Sequence, residues 1–267
     1  MPSPAEEARE LLAPIWQRIA GGALDPRDES AMQQAVDDLP LIPSVAQLDA
    51  LIDDRQNELA RREEGAIDGP WLDAHISIAW AILAASRLAP LTRLHAKATN
   101  AIARGLSRRW LLSGKTIDLI DQIAMLDEAI AQTPERYDRI ALLSNLAHSL
   151  GDLYRMRGYE ADLTRRVSTL KEAVDLTPVG PARPILLSNL ALGLGDRYDS
   201  YGDPTDLDSQ VRLLEEALAL APSSPRSASQ LNNLAVALGK RYRLRSDATD
   251  LARRITLLNA STLIRLR

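Results

Sequence analysis

Cysteine and phenylalanine are both absent from the 267 residues. The first absence removes disulfides, thiolate nucleophiles and cysteine-based metal sites. The second leaves aromatics at 4% of the chain, poor material for base-stacking platforms or aromatic cages. Lysine is scarce too, standing only at 97, 115, 171 and 240, and all basic residues together (32) are outnumbered by 36 acidic ones. Nucleic acid needs a clustered positive field, so it is not an expected partner. No run of 18 apolar residues occurs, and the N-terminal MPSPAEEARELLAP lacks the basic and apolar regions of a secretory signal. A cytoplasmic protein without a membrane partner is expected.

What the chain has instead is a period. Ser188-Asn189-Leu190-Ala191 answers to Ser144-Asn145-Leu146-Ala147 44 residues earlier and to Asn232-Asn233-Leu234-Ala235 44 later. Pro90, Pro134, Pro178 and Pro222 keep the same step, as do Asp118-Leu119, Asp162-Leu163, Asp206-Leu207 and Asp250-Leu251. A fixed step in this range signals stacked repeats. Each unit reads as a long helix A, a turn with glycine (Gly114, Gly158, Gly202; Ser246 in the last unit), a helix B and the proline. The A helices are expected at about 91–112, 136–157, 182–201 and 226–245, and the B helices at about 116–132, 160–176, 204–220 and 248–264. Glycine supplies the left-handed residue that closes helix A, and proline stops helix B. The recurring aspartate is read as a charge beside the free N–H groups at the start of helix B, with Asp203 as that helix's cap in the third unit.

Before the regular units lie an N-terminal helical cap (1–43) and a degenerate repeat (44–90). Residues 5–20 place Leu11, Leu12, Ile15, Trp16 and Ile19 at the spacing of one helix ended by Gly21-Gly22. Asp25-Pro26 reads as the start of a short helix carrying Met32, Ala35, Val36 and Leu39. Ser44 and Gln47 form a capping box ahead of Leu48, Leu51, Ile52, Arg55 and Leu59. The segment 71–88 is apolar nearly all round, as a buried helix is.

At 100° per residue, Leu143, Leu146, Ala147, Leu150, Leu153 and Tyr154 share one side of helix A in the second unit. Asn145, His148, Asp152 and Arg155 share the other. The same stripe reads Arg104 and Arg108 in the first unit, Asn189, Asp196 and Asp199 in the third, and Asn233, Lys240 and Arg243 in the fourth. Stacking buries the apolar sides in an array; the stripe is left for function.

The series Asn189, Leu190, Ala191, Leu194, Gly195, Tyr198, Gly202, Ala217 and Pro222 resembles the tetratricopeptide repeat. Asn145, Leu146, Leu150, Gly151, Tyr154, Gly158, Ala173 and Pro178 match nearly as well, and the likeness covers about 91–267. The step of 44 exceeds the usual 34 and is similar to the extended repeats of kinesin light chains and of bacterial arrays that accompany caspase-like CHAT proteases. The resemblance implies an all-α, right-handed α-solenoid of helix-turn-helix repeats that binds a peptide or partner protein in a groove lined by the A helices. It implies that Asn145, Asn189 and Asn233 hold peptide backbone, since an amide offers donors and an acceptor. Arg104, Arg108, Arg155, Lys240 and Arg243 would hold acidic groups, with His148, Asp152, Asp196 and Asp199 completing the stripe. An alternative from the same kinship is a regulatory or sensor segment of a larger signalling or protease system. A helical enzyme is a third alternative.

The remaining motifs point to no chemistry. Ser113-Gly114-Lys115-Thr116 ends like a phosphate loop but has Arg109 where the first glycine belongs and no strand before it. His75, His95 and His148 lack ligand spacing, and Asp37-Asp38, Asp53-Asp54 and Glu63-Glu64 are helix-surface pairs. The four tryptophans read as core. Arg61-Arg62, Arg165-Arg166 and Arg253-Arg254 read as solvated doublets. No metal, cofactor or reaction is therefore expected. Leu257, Leu258, Leu263 and Ile264 on the last helix point to a homo-oligomer through it.

Overall fold

The computed structural model of the chain describes residues 2–62, 68–86, 92–133, 136–222 and 227–265, and within these leaves the side chains at 92, 136, 137 and 263–265 undescribed. Pro90, Pro134, Glu63-Glu64 and the side chains of Leu263 and Ile264 lie outside the described set. Among the described residues there are thirteen α-helices and no strand. They are α1 (Pro4–Leu11), α2 (Ala13–Ala20), α3 (Glu29–Asp37), α4 (Val45–Arg62), α5 (Gly69–Ser86), α6 (Thr92–Ser113) and α7 (Thr116–Gln132). The series continues with α8 (Arg136–Arg157), α9 (Glu160–Leu176), α10 (Arg183–Tyr201), α11 (Pro204–Leu220), α12 (Ser227–Arg245) and α13 (Ala248–Arg265). No described helix is long and apolar enough to cross a membrane. The chain divides into two compact units, Met1–Leu142 and Leu143–Arg267.

The first unit is built around α5. Its apolar residues run all round because α2, α3, α4 and α6 each cover part of it. Gly105 lets α6 come close: a Cβ there would lie 2.6 Å from Ile76 Cγ1. The expected single helix over 5–20 is two helices, broken at Leu12. The cause is Pro14, which has no N–H for the carbonyl of Glu10 and whose ring would meet it; the next helix starts afresh with Pro14 in its first turn. Asp25 does not cap the third helix. Asp28 does, accepting from the Ala31 N–H at 3.0 Å, while Asp25 accepts from Arg27 N in the turn before it. The capping box at Ser44 is formed, with Ser44 N donating to Gln47 Oε1 at 2.8 Å. A second one, Ser3 with Glu6, opens α1.

In the second unit α10 packs on α9, α11 and α12, and α12 on α13. Leu146, Ala147, Leu150, Ala191, Leu214 and Leu238 are among the buried residues that the A and B helices share. Gly158 and Gly202 (φ 67° and 73°) close α8 and α10 in the left-handed region, where glycine is free of the Cβ penalty. Ser246 takes the same conformation (φ 57°) after α12. The glycine inside helix A has another role. A Cβ at Gly151 would sit 3.1 Å from Arg166 Nε, one at Gly239 2.9 Å from Arg254 Nη1, and one at Gly195 would run into the Gln210 carboxamide. The repeat therefore seats a long polar side chain of helix B on a bare patch of helix A. Helix B ends against proline as expected where it is described: Thr177 and Ala221 are the caps, followed by Pro178 and Pro222. Arg183 Nη1 reaches back to the carbonyls of Val174 and Thr177 at the end of α9, at 3.0 and 2.8 Å. Ser227, one period later, serves Ala221 and Pro222 at 3.1 and 3.0 Å.

Candidate functional site

The recurring aspartates stand in the first turn of helix B, as expected, and do a further job there. Each is buried and takes a two-pronged bond from an arginine of its own repeat's helix A. Arg197 reaches Asp206 with Nε at 2.7 Å and Nη2 at 2.6 Å, and Arg241 reaches Asp250 at 2.8 and 2.7 Å. In the first unit Arg109 holds Asp118 through Nε at 3.1 Å and Nη2 at 2.7 Å, and also Asp73 at 3.0 Å. The second repeat has Leu153 at the arginine's place, and Arg157, one turn on, makes both bonds to Asp162 at 2.6 Å. Hydrogen bonds from Arg241 hold the Asp250 carboxyl below its ordinary range, and the bond to Asp206 raises Arg197. These pairs join A to B and leave no free charge for a ligand.

The A-helix stripe of the second unit lies open. Asn145, His148 and Arg155 are exposed and Asp152 half-buried on α8; Asn189 and Asp196 are half-buried and Asp199 exposed on α10; Asn233 and Lys240 are half-buried and Arg243 exposed on α12. The carboxamides of Asn145, Asn189 and Asn233, spaced one period apart, have no hydrogen-bond partner among the described residues. Most charges of the stripe are already paired: Asp152 with Arg155, Asp196 with Arg166 at 2.5 Å, and Asp199 with Lys240 at 2.6 Å. Arg166, expected in a solvated doublet, is half-buried by that bond, and Arg253 of another doublet bonds Glu215. His148 Nδ1 donates to its own helix at Ser144 O, 2.8 Å. Arg104 and Arg108 sit half-buried on α6 in the first unit. The stripe also has apolar members that polarity alone hid: Ile185, Leu192 and Val236 are exposed at 36%, 36% and 47%. Their spacing from the asparagines, four residues before Asn189 and three after Asn189 and Asn233, was the available signal.

Two other places hold polar groups. In the first unit a cleft of about 600 Å³ is lined by Ile19, Trp80, Leu106, Asp73, Arg109 and Lys115, and the Arg27–Asp121 ion pair joins the loop before α3 to α7 beside it. Elsewhere in that unit His75 is fully buried and stacked on Trp71 at 5.3 Å between ring centres. Burial, and then the nearby Arg55 charge, push its pKa down to about 4. His95 bonds Glu128 at 2.8 Å. Among the described residues no group of three or more histidine or acidic side chains is placed to hold a metal ion.

No family model and no curated protein matches the sequence. Solved structures do match the fold. A variant of a "Podosopora anserina putative kinesin light chain nearly identical TPR-like repeats" protein superposes with a TM-score of 0.56 at 16% identity, over 80% of this chain and 94% of the other. BtubC (BKLC) from P. vanneervenii gives 0.56 at 15% identity, over 99% and 92%. A second structure of the Podosopora protein gives 0.53 at 16% identity, over 77% and 94%. The chain thus has the fold of a tetratricopeptide-like α-solenoid.

Proposed function

We propose that this solenoid is a binding scaffold, not a catalyst, and that the open face of α8, α10 and α12 holds an extended segment of a partner protein. The observation that carries the reading is the row Asn145, Asn189 and Asn233. Three carboxamides one period apart, one exposed and two half-buried, and all without a hydrogen-bond partner among the described residues, offer donors and acceptors at regular intervals to a peptide backbone. Ile185, Leu192 and Val236 beside them supply apolar contact for alternate side chains of such a segment. Because Asp152 is paired with Arg155, Asp196 with Arg166 and Asp199 with Lys240, the face reads backbone and apolar side chains more than net charge. The test is a quantitative pull-down with wild type and the Asn145→Ala/Asn189→Ala/Asn233→Ala variant, both checked for equal helicity. Partners bound through this face are lost from the variant; an unchanged partner set refutes the assignment.

A further inference from the structure

A second surface of the same unit lies away from the asparagine row, where the B helices α9 and α11 flank α10. They bound a cleft of about 580 Å³, within the size range of ligand sites. Its floor is apolar: Val167 from α9, Leu187, Leu190 and Leu194 from α10, and Leu213 from α11. Its charges fall into two groups. Arg197 is committed to Asp206, and Arg183 to the end of α9 and, at 3.7 Å, to Glu216. Lys171 and Arg212, exposed on opposite walls, have no hydrogen-bond or ion-pair partner among the described residues. Asp175, also exposed, is the one further charge lining it.

The next interval of the array shows that this opening is a property of particular side chains. One period later, α11 is tied to the last repeat by Arg253–Glu215 at 2.5 Å and by Arg245–Asp208 at 2.6 Å. The register equivalents of those four residues are Ser209, Lys171, Tyr201 and Thr164. Neither pair can form an ion pair, so both of these clamps are missing where α9 faces α11, and a cation, Lys171, stands where the carboxylate of Glu215 would be.

We infer that the α9–α11 cleft is a docking site for an acidic, apolar segment of a protein partner, whose large apolar side chains rest on the leucine floor and whose carboxylates meet Lys171 and Arg212. The site is independent of the asparagine face. A fluorescein-labelled Leu-Glu-Glu-Leu-Leu-Glu-Glu-Leu peptide, followed by anisotropy with the whole chain, tests it. Binding is expected to fall by about tenfold or more in Lys171→Glu/Arg212→Glu, and by as much when the peptide carries Lys for Glu or Ser for Leu. The Asn189→Ala/Asn233→Ala variant should bind the peptide as wild type does. A second variant installs the missing clamp: Lys171→Glu with Ser209→Arg and Thr164→Asp with Tyr201→Arg. It should keep wild-type helicity and thermal midpoint or better, and lose the peptide. The inference is overturned if the acidic peptide fails to bind wild type, if the Glu and Lys peptides bind alike, if either cleft variant binds unchanged, or if binding is lost in the asparagine variant.

Discussion

Replacing Asp206 by Asn keeps its shape and removes its charge. In the structure this carboxylate is 4% exposed and takes bonds of 2.6 and 2.7 Å from Arg197. Removing one partner of a buried ion pair costs about 3–5 kcal/mol. The Arg197 side chain is 27% exposed, so water recovers part of its solvation, and a loss of about 2 kcal/mol is the expected value. Replacing both partners, as Arg197→Met/Asp206→Leu, leaves no stranded charge and should cost less than about 1 kcal/mol. Urea unfolding followed by far-ultraviolet circular dichroism gives each loss, and Asp206→Asn, Arg197→Met and the two together give the coupling. If the aspartate served only the start of α11, Asp206→Asn would cost under about 1 kcal/mol and the cost would be the same whether residue 197 is Arg or Met. That outcome refutes the account of the pair.

His75 makes stability depend on pH. Its pKa is about 4 when folded and 6.5 as the ordinary value, so the unfolded chain binds more protons between these limits and stability rises with pH across that window. The full difference is about 3 kcal/mol; below pH 4 the cost is complete and above 6.5 it is absent. Comparing urea midpoints of wild type and His75→Leu from pH 4 to 7 checks it, and an unchanged slope in the variant counts against it. Gly195→Ala should cost about 1–3 kcal/mol through its collision with Gln210, and Gln210→Ala in the same chain should recover most of that; thermal unfolding of the three variants decides, and additive losses would show the contact to be unimportant.

Helix ends were the most legible feature of the sequence because single residues write them. Glycine at φ 67–73° and proline after Thr177 and Ala221 fix the boundaries of α8 to α11 to within about a residue or two. Pro14 wrote a boundary as well, at Leu12, hidden by apolar residues that continue in phase across the break. The partner of Asp206 was not legible, since Arg197 stands nine residues before it and meets it only when the turn reverses the chain. Leu153 concealed the rule further by displacing the arginine of the second repeat to Arg157. On the candidate face the asparagines stood out through repetition, whereas Leu192 and Val236 did not, because an apolar residue on helix A is ordinarily core. Nor does sequence spacing tell that Asp196 and Asp199 are already answered by Arg166 and Lys240 from other helices.

The pairs that hold the recurring aspartates, Asp118, Asp162, Asp206 and Asp250, each close within a single repeat, between a helix A and the helix B that follows it. The ion pairs between repeats 3 and 4, Arg245–Asp208 and Arg253–Glu215, have no counterpart at the matching residues one period earlier. The array thus separates two kinds of information. A 44-residue cassette carries its own internal lock and can be duplicated or moved whole without stranding the buried aspartate at the start of its helix B. Which cassette follows which is written in the few clamps at a junction, so the order of the repeats, and the surface each junction opens or shuts, can change by two or four side chains while every hairpin stays intact.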